Sequence, residues 1–478
     1  MAVSRILIVR LPCHKVFPTG PIYLMSSVHR AAPGIAQKVL DLALVDRRRQ
    51  AGEIRHAVES FHPDVIAFSW RDVQIFSPQY LDSALRDAFI FFYDSSPTRR
   101  IRAALRGLRD IITYRSSIAH NLALVRKATA AHPSITIALG GPRVRIFGDR
   151  LRRKLPRRVH TFTETCLDGF FDLIGIAMRP DPIEPEIDLN LVEASFPQWE
   201  AYRDEVVGVQ TKQGCPHACL YCLYGFLEGK TVRRRAPARV VREIEGYARR
   251  WGSRRFWFAD AQLLSEHRDR EHLTEILEGI VRMEIPVQWS GYIRIHEIDG
   301  PLASLMVRSG LCDLEVSLNS GARSVLDELK LGFSVDEVMK GFEVLKAAGY
   351  AGKVLVNLSL NAPGETRETL LETIETMRRI RKIFGENQVV PVVFFLAIQP
   401  HTGLERKAQV NGHIRAGYDP LSVLPWNVIK LIYNPAPLGK LIGRSCATVF
   451  DRGGDHVGET ILAAIETELK AASEAPAE

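Results

Sequence analysis

Short apolar runs alternate with longer amphipathic stretches along most of the chain, and this alternation sets the expected architecture. RILIVRL (5–11), DVIAFSW (64–70) and ITIALGG (135–141) read as β-runs; HTFTE (160–164) is a shorter one, and FFDLIGIA (170–177) closes the region. Runs this continuously apolar suit strands covered on both faces, and the helix-like segments between them predict a doubly wound, Rossmann-like parallel sheet over residues 1–178. Ligands of such sheets sit at the carboxyl ends of the strands, here the loops PCHKVFPTGPIYL, WRDVQIFSPQ and GGPRV. Residues 87–118 read as a partly helical insertion, and the Pro-rich, acidic stretch 179–200 as an interdomain linker. From 201 to 403 the alternation resumes with six β-runs: VVGVQTKQG, RRFWFADA, VQWSGYIR, CDLEVSLNSG, KVLVNLSLNAPG and VVPVVFFLAIQP. Six successive βα units predict a partial (β/α)6 barrel with its reactive groups at the strand carboxyl ends. Residues 404–478 read as a small, mostly helical region with a disordered tail, KAASEAPAE. The fold class is α/β.

Composition changes this picture little. A chain of 478 residues is too long for one core, which agrees with more than one domain. The net charge of +8 is spread in short clusters such as Arg47–Arg49 and Arg233–Arg235. Scattered arginines are the pattern of solvated faces, so no nucleic-acid partner is expected. No apolar run approaches the ~20 residues of a membrane span, and MAVSRILIVRLP lacks a signal-peptide core. A cytoplasmic protein, expected to be a monomer, follows. Seven cysteines in such a chain do not make a disulfide framework, so clustered thiols are candidate metal ligands.

Three of the seven stand in QGCPHACLYC (213–222), spaced C-x3-C-x2-C. A structural zinc site wants four closed ligands, and His217 could complete a Cys3His set. Three thiolates on a [4Fe–4S] cluster instead leave one iron without a protein ligand, open to a chelating substrate. Cys215 follows the first strand of the second domain, at the rim where a barrel places its chemistry.

The CxxxCxxC spacing, with Tyr221 just before the last cysteine, resembles the radical S-adenosylmethionine (SAM) superfamily. The resemblance implies that Cys215, Cys219 and Cys222 hold the cluster, that its open iron binds the amino and carboxylate groups of SAM, and that an electron from an external donor such as flavodoxin or ferredoxin splits SAM to a 5′-deoxyadenosyl radical. Further segments resemble the family in strand order over roughly 205–400: FWFADAQLL with Asp260, SGYIRIHEI with Arg294, LEVSLNSGARSVLDELKLGFS with Glu315, Ser317 and Asn319, and NLSLNAPGETRETL with its PGET. Those named residues, with Tyr221, are the implied SAM contacts. Singly, each segment reads equally well as barrel core or a helix cap, as Glu365-Thr366 would be.

A doubly wound domain before such a barrel resembles the cobalamin-dependent branch of the superfamily. GGPRVRIFGDRL (140–151) is similar to that branch's GGP loop, and PTGPIYLMSSV (18–28) to its first-loop segment. The resemblance implies cobalamin contacts at Thr19, Gly20, Trp70, Arg71, Gly140, Gly141 and Pro142, the glycines leaving room for the cofactor. The D-x-H-x-x-G motif of base-off cobalamin proteins is absent: Pro12 stands where Asp should precede His14. Cobalt is therefore expected to lack a histidine ligand, with Trp70 and Arg71 covering its lower face. The implied activity is a methyltransferase of the EC 2.1.1 kind, acting through methylcobalamin on a carbon, unactivated ones included, of a small-molecule substrate, in the manner of natural-product enzymes. Cyclisation or rearrangement with the same cofactors is the alternative. A tRNA methylthiotransferase is a remote third reading, because the first domain offers only Cys13 and Cys166 where that family has three further cluster cysteines. The sequence names no residue for the transfer step itself.

Overall fold

The computed structural model describes residues 3–72, 78–164, 166–422, 424–450 and 457–474. Its first unit is a parallel sheet of β1 (Arg5–Arg10), β2 (Ala36–Asp41), β3 (Val65–Ser69), β4 (Thr136–Gly140) and β5 (Val159–Thr161), ordered β2-β1-β3-β4-β5. The chain moves outward from β1 to β2, then crosses back to the other side at β3. That reversal opens a crevice beyond the carboxyl ends of β1 and β3, the usual ligand position in a doubly wound sheet.

The second unit begins at β6 (Val207–Val209). A small antiparallel pair follows, β7 (Lys212–Gln213) with β8 (Arg233–Arg234), and the intervening loop carries the clustered cysteines. Next come β9 (Arg255–Phe258), β10 (Gln288–Tyr292), β11 (Leu311–Asn319), β12 (Lys353–Leu360) and β13 (Val389–Phe395). With β6 they form a six-stranded parallel sheet in chain order, each consecutive pair joined by a helix, as a partial (β/α)6 barrel requires. Alternation orients the strands: Leu314, Val316 and Leu318 of β11 are buried in the core shared with Leu302, Val338 and Phe342 of the outer helices, so Glu315 and Ser317 face the lumen.

The carboxyl ends of the two sheets face each other. Thr19 Oγ1 donates to Gly208 O at 2.9 Å, tying the loop after β1 to β6. The segment 179–200 is packed and not free: Val192 and Phe196 are fully buried in the core, and the residues just beyond it bring the Tyr202 hydroxyl to the buried Arg10–Asp41 pair.

Four expectations are corrected. β2 was not anticipated. FFDLIGIA forms the helix Asp168–Leu173, ended by Gly175 at φ +72°, and not a strand. Residues 87–118 are no separate insertion: they span the end of helix Pro78–Tyr93 and the first half of Pro97–Ala131, the crossover from β3 to β4. The tail is helical through Glu474, as part of Val457–Glu474. Residues 73–77 of the loop after β3, and 475–478, lie outside the described residues.

Candidate functional site

The cysteine loop is anchored at its root by buried charge. Lys212 of β7 pairs with Asp269 and donates to Ser265 Oγ at 2.6 Å, while Arg234 of β8 reaches Asp269 at 2.8 Å. Burial alone would raise the Asp269 pKa, but Lys212 and the Ser265 hydrogen bonds hold it below the ordinary carboxylate value. Gly214, at φ +94°, then turns the chain; a Cβ there would stand 2.1 Å from Thr231 O. Cys215 N–H donates to Gly229 O at 3.1 Å, and Leu220 is tied through its backbone to Leu329 O and Leu404 N–H at 3.0 and 2.8 Å. The three thiols lie close enough to act on one another electrostatically, and burial pushes Cys219 upward and Cys222 to about 11. Among the described residues no three His, Cys, Asp or Glu side chains converge where a single ion could sit. Cys215, Cys219 and Cys222 share one braced loop, and thiolates so spaced fit a polynuclear cluster, in which each would hold its own iron. His217, the fourth zinc candidate, is driven to a pKa of about 4 by burial and by Arg294, Lys212 and Lys230, and its buried Nε2 has no hydrogen-bond partner.

Around this loop the barrel mouth gathers the other candidates at different depths. The Tyr221 hydroxyl lies beside the Asn319 amide, and burial raises its pKa well above the ordinary value. Asn319 ends β11 at φ +68°, fully buried, with Oδ1 unpaired. Arg294 follows β10: its Nη1 donates to Leu331 O at 3.1 Å, its guanidinium covers the Phe333 ring, its Nε is buried without a partner, and its charge acts on Cys219 and Cys215. Burial lowers its pKa. Asn319 and Arg294 thus stand beside the cysteines with unsatisfied polar atoms, as residues that receive a polar ligand would, and Tyr221 is held against Asn319. Asp260 serves the protein's own backbone: it accepts from Thr211 N–H at 2.8 Å, Lys212 N–H at 3.0 Å and the Thr211 hydroxyl, fixing the approach to the cysteine loop. Glu315 and Ser317 sit deeper in the lumen, Glu315 accepting from Asn357 Nδ2 at 2.8 Å. Glu365 binds the backbone N–H of Ala362 at 3.0 Å, and burial lifts its pKa to about 8.

Between the two sheets lie two adjoining cavities of about 610 and 370 Å³, which share Gly20, Ser69, Pro142, Gln210 and Tyr224. The larger one spreads beneath Thr19, Arg71, Gly208, Trp257 and Asp260. The smaller runs past Gly140 and Gly141 into the first sheet, to Ala67 and Ala138. A broad chamber joined to a narrow slot fits a disc-shaped ring with a tail. Of the residues expected at a cobalamin site, Thr19, Gly20, Arg71, Gly140, Gly141 and Pro142 line these two cavities.

Two expectations fail here. Trp70 is not on the crevice: it is 1% exposed, packs in the first unit's second core with Leu7, Val9 and Leu139, and hydrogen-bonds Asp72. Strand alternation puts its neighbour Ser69 on the ligand side. Gly141 is glycine for the protein's own sake, since at φ +101° a Cβ would lie 2.7 Å from Trp70 O; a Cβ on Gly140 meets nothing nearer than Phe162 at 3.8 Å and would project into available space. Arg71 Nη1 lies 3.2 Å from His14 Nε2, and burial with that cation lowers the His14 pKa. His14 is turned to Arg71, and it is not among the residues lining the crevice.

Sequence reasoning missed Gln210, Tyr224 and Arg145. The helix Pro142–Arg152 sends Arg145 to Phe226 O at 2.7 and 3.0 Å and over the Phe226 ring; that ring stacks on His401 at 4.0 Å, and His401 bonds Ile146 O at 2.8 Å. The signal available for all three was position alone: Gln210 lies in the first β-run of the second unit, Tyr224 just beyond the cysteine motif and Arg145 inside the GGPRVRIFGDRL segment.

Residues 209–377 match the sequence family described as the radical SAM superfamily, and this part of the chain is a radical SAM domain. Among solved structures, the radical SAM methyltransferase TsrM from Kitasatospora setae, with cobalamin and a [4Fe–4S] cluster bound, superposes with a TM-score of 0.61 at 14% identity, covering 99% of this chain and 100% of that one. The cobalamin-dependent SAM radical enzyme OxsB, with aqua-cobalamin and SAM bound, gives 0.63 at 11% identity over 98% of this chain and 71% of that one. At such identities the likeness establishes the fold of both units. Among curated proteins, the tRNA-2-methylthio-N(6)-dimethylallyladenosine synthase of Nitratidesulfovibrio vulgaris is 23% identical over 287 residues, 54% of this chain and 60% of that protein. That of Nocardia farcinica is 25% identical over 269 residues, 53% and 52% respectively, so the match spans about half of each protein. Among the described residues no helix is long and apolar enough to cross a membrane.

Proposed function

We propose that this radical SAM protein is a cobalamin-dependent methyltransferase acting on a carbon atom of a small-molecule substrate. The observation that carries the reading is the two-part crevice, which opens between the carboxyl ends of both sheets and shares Tyr224 with the cysteine loop. When bound, the cluster supplies the electron that cleaves SAM, and cobalamin carries the methyl group. The chain's own residues prepare the space. Cys215, Cys219 and Cys222 hold three irons and leave one open; Tyr221, Asn319 and Arg294 line the approach to it. Gly20, Gly140 and Pro142 shape the ring chamber and its slot, with Arg71 above His14 on the first-unit side. The crevice, closed by both units, holds reactive groups away from bulk water.

Two features favour this reading over a methylthiotransferase. The first unit carries only Cys13 and Cys166. Cys13 is half-buried near Arg10 and Arg71, with its thiol pushed to about 11 mainly by desolvation, whereas Cys166 lines the slot. The test is anaerobic reconstitution followed by metal and corrin analysis, then turnover with CD3-labelled SAM. The expected result is about four irons and about one cobalamin per chain, and a CD3 group on a carbon of the product. Protein that takes up cluster but no cobalamin would overturn the proposal, and a product of unchanged mass would favour the rearrangement chemistry instead.

A further inference from the structure

Glu315 is a carboxylate without a cation. It faces the lumen from β11, accepts a hydrogen bond from Asn357 Nδ2 at 2.8 Å, and makes no ion pair among the described residues. Its charge acts on Tyr292 and Tyr224, and Tyr292 meets Trp257 edge to face at 5.2 Å. Trp257 and Tyr224 both line the larger cavity. A half-buried carboxylate among aromatic rings is costly unless a positive group answers it, and such rings are themselves good partners for organic cations.

Strand register separates Glu315 from the residues at the cysteines. Glu315 pairs with Tyr292, the last residue of β10, so it stands level with the end of β10 at the floor of the crevice. Beyond it β11 runs four more residues to Asn319, beside Tyr221. A register shift between Val316 and Asn319 leaves Glu315 level with Leu355 and Asn319 with Leu358 of β12, a separation of about 10 Å along the sheet at ~3.3 Å per residue. The set of residues that receives SAM in the proposed reading is at Asn319; Glu315 stands near Tyr224, a wall residue of the larger cavity.

Resting on that reading, we infer that Glu315, oriented by Asn357 and walled by Trp257, Tyr292 and Tyr224, is the anchor for a protonated amine of the substrate, and that the enzyme acts on an amine-bearing small molecule. The expected SAM contact at Glu315 is replaced by a substrate contact.

The test uses holoenzyme in which cluster and cobalamin occupancy have first been measured, so that failure of the cofactor reading is seen separately. Binding of 2-phenylethylamine and of its neutral isostere 2-phenylethanol is followed by calorimetry in the presence of SAM. The amine should bind at least tenfold tighter, and Glu315→Gln should abolish the preference at cluster and cobalamin occupancies equal to those of the wild type. Asn357→Ala should weaken the preference without reversing it. Equal affinity for the two probes, including no measurable binding of either, would overturn the inference. Loss of 5′-deoxyadenosine formation in Glu315→Gln would overturn it as well, by returning Glu315 to the SAM site.

Discussion

The carboxyl edge of the first sheet and the mouth of the barrel face the same crevice but are built oppositely. The first is shaped by what is missing: Gly20 and Gly140 open a chamber and a slot where larger residues would fill them, and the polar side chains there are few. The second is braced by what is present: Lys212, Asp269 and Arg234 at the root of the cysteine loop, and Asp260 locked onto Thr211 and Lys212. A site for a large preformed cofactor needs volume, whereas a loop that must hold thiols in a fixed array needs rigid support. The two regions should therefore fail in different ways when altered.

The largest effect is expected from the triple variant Cys215→Ala, Cys219→Ala, Cys222→Ala. Iron should fall from about four per chain to background and 5′-deoxyadenosine formation should vanish, while cobalamin uptake persists. Iron analysis and chromatography of the same sample check it; retained iron would place the cluster elsewhere.

Next is Asp269→Asn, which strands the buried Lys212, leaves Arg234 with Glu266 alone, and should cost about 3–5 kcal/mol in chemical denaturation. Because the native Asp269 pKa lies below its ordinary 3.8, its contribution is present above that value and is lost as pH falls through the native one. The wild type should thus lose an extra increment of stability below about pH 4 that the variant lacks.

The comparison is sharpened by the adjacent glycines. Gly140→Val should lower cobalamin affinity by about tenfold or more with iron content and melting temperature nearly unchanged, since its Cβ enters open space at the slot. Gly141→Val should lower the melting temperature first, because its Cβ meets Trp70 backbone. Equal behaviour of the two variants would refute the slot as the cofactor's seat.

The smallest effect is a null result by design. His14→Ala should leave the EPR spectrum of cob(II)alamin-bound protein unchanged and without nitrogen splitting of the cobalt lines, since His14 is turned to Arg71. Nitrogen splitting that disappears in the variant would identify a histidine ligand after all.

What could be read from the sequence follows the same division. The barrel was legible because its strands are short aliphatic or aromatic runs separated by helix-like stretches, and the cysteines because their spacing is chemically restrictive. β2 escaped notice because AQKVLD buries polar residues at alternate positions, Gln37 on Met25 O at 3.0 Å and Asp41 on Arg10 at 2.8 Å. Trp70 was misplaced because a motif fixes a residue's position along a strand, not which face it takes. Glu315 and Asn319 were grouped because one resembling segment carries both, and a segment does not say that they stand about 10 Å apart along the sheet.

One strut serves both cofactor seats. The helix Pro142–Arg152 begins where the slot's glycines end, and three residues into it Arg145 grips Phe226, four residues beyond the last cluster cysteine, with His401 closing the clasp. Whatever stiffens that helix stiffens the loop that holds iron, and the converse is equally binding. In the proposed reading, thermodynamic reciprocity then sets an assembly rule: the factor by which bound cobalamin tightens the cluster must equal the factor by which the cluster tightens cobalamin. Maturation would then be a coupled loading of two cofactors, with the chain given only one of them holding it less tightly.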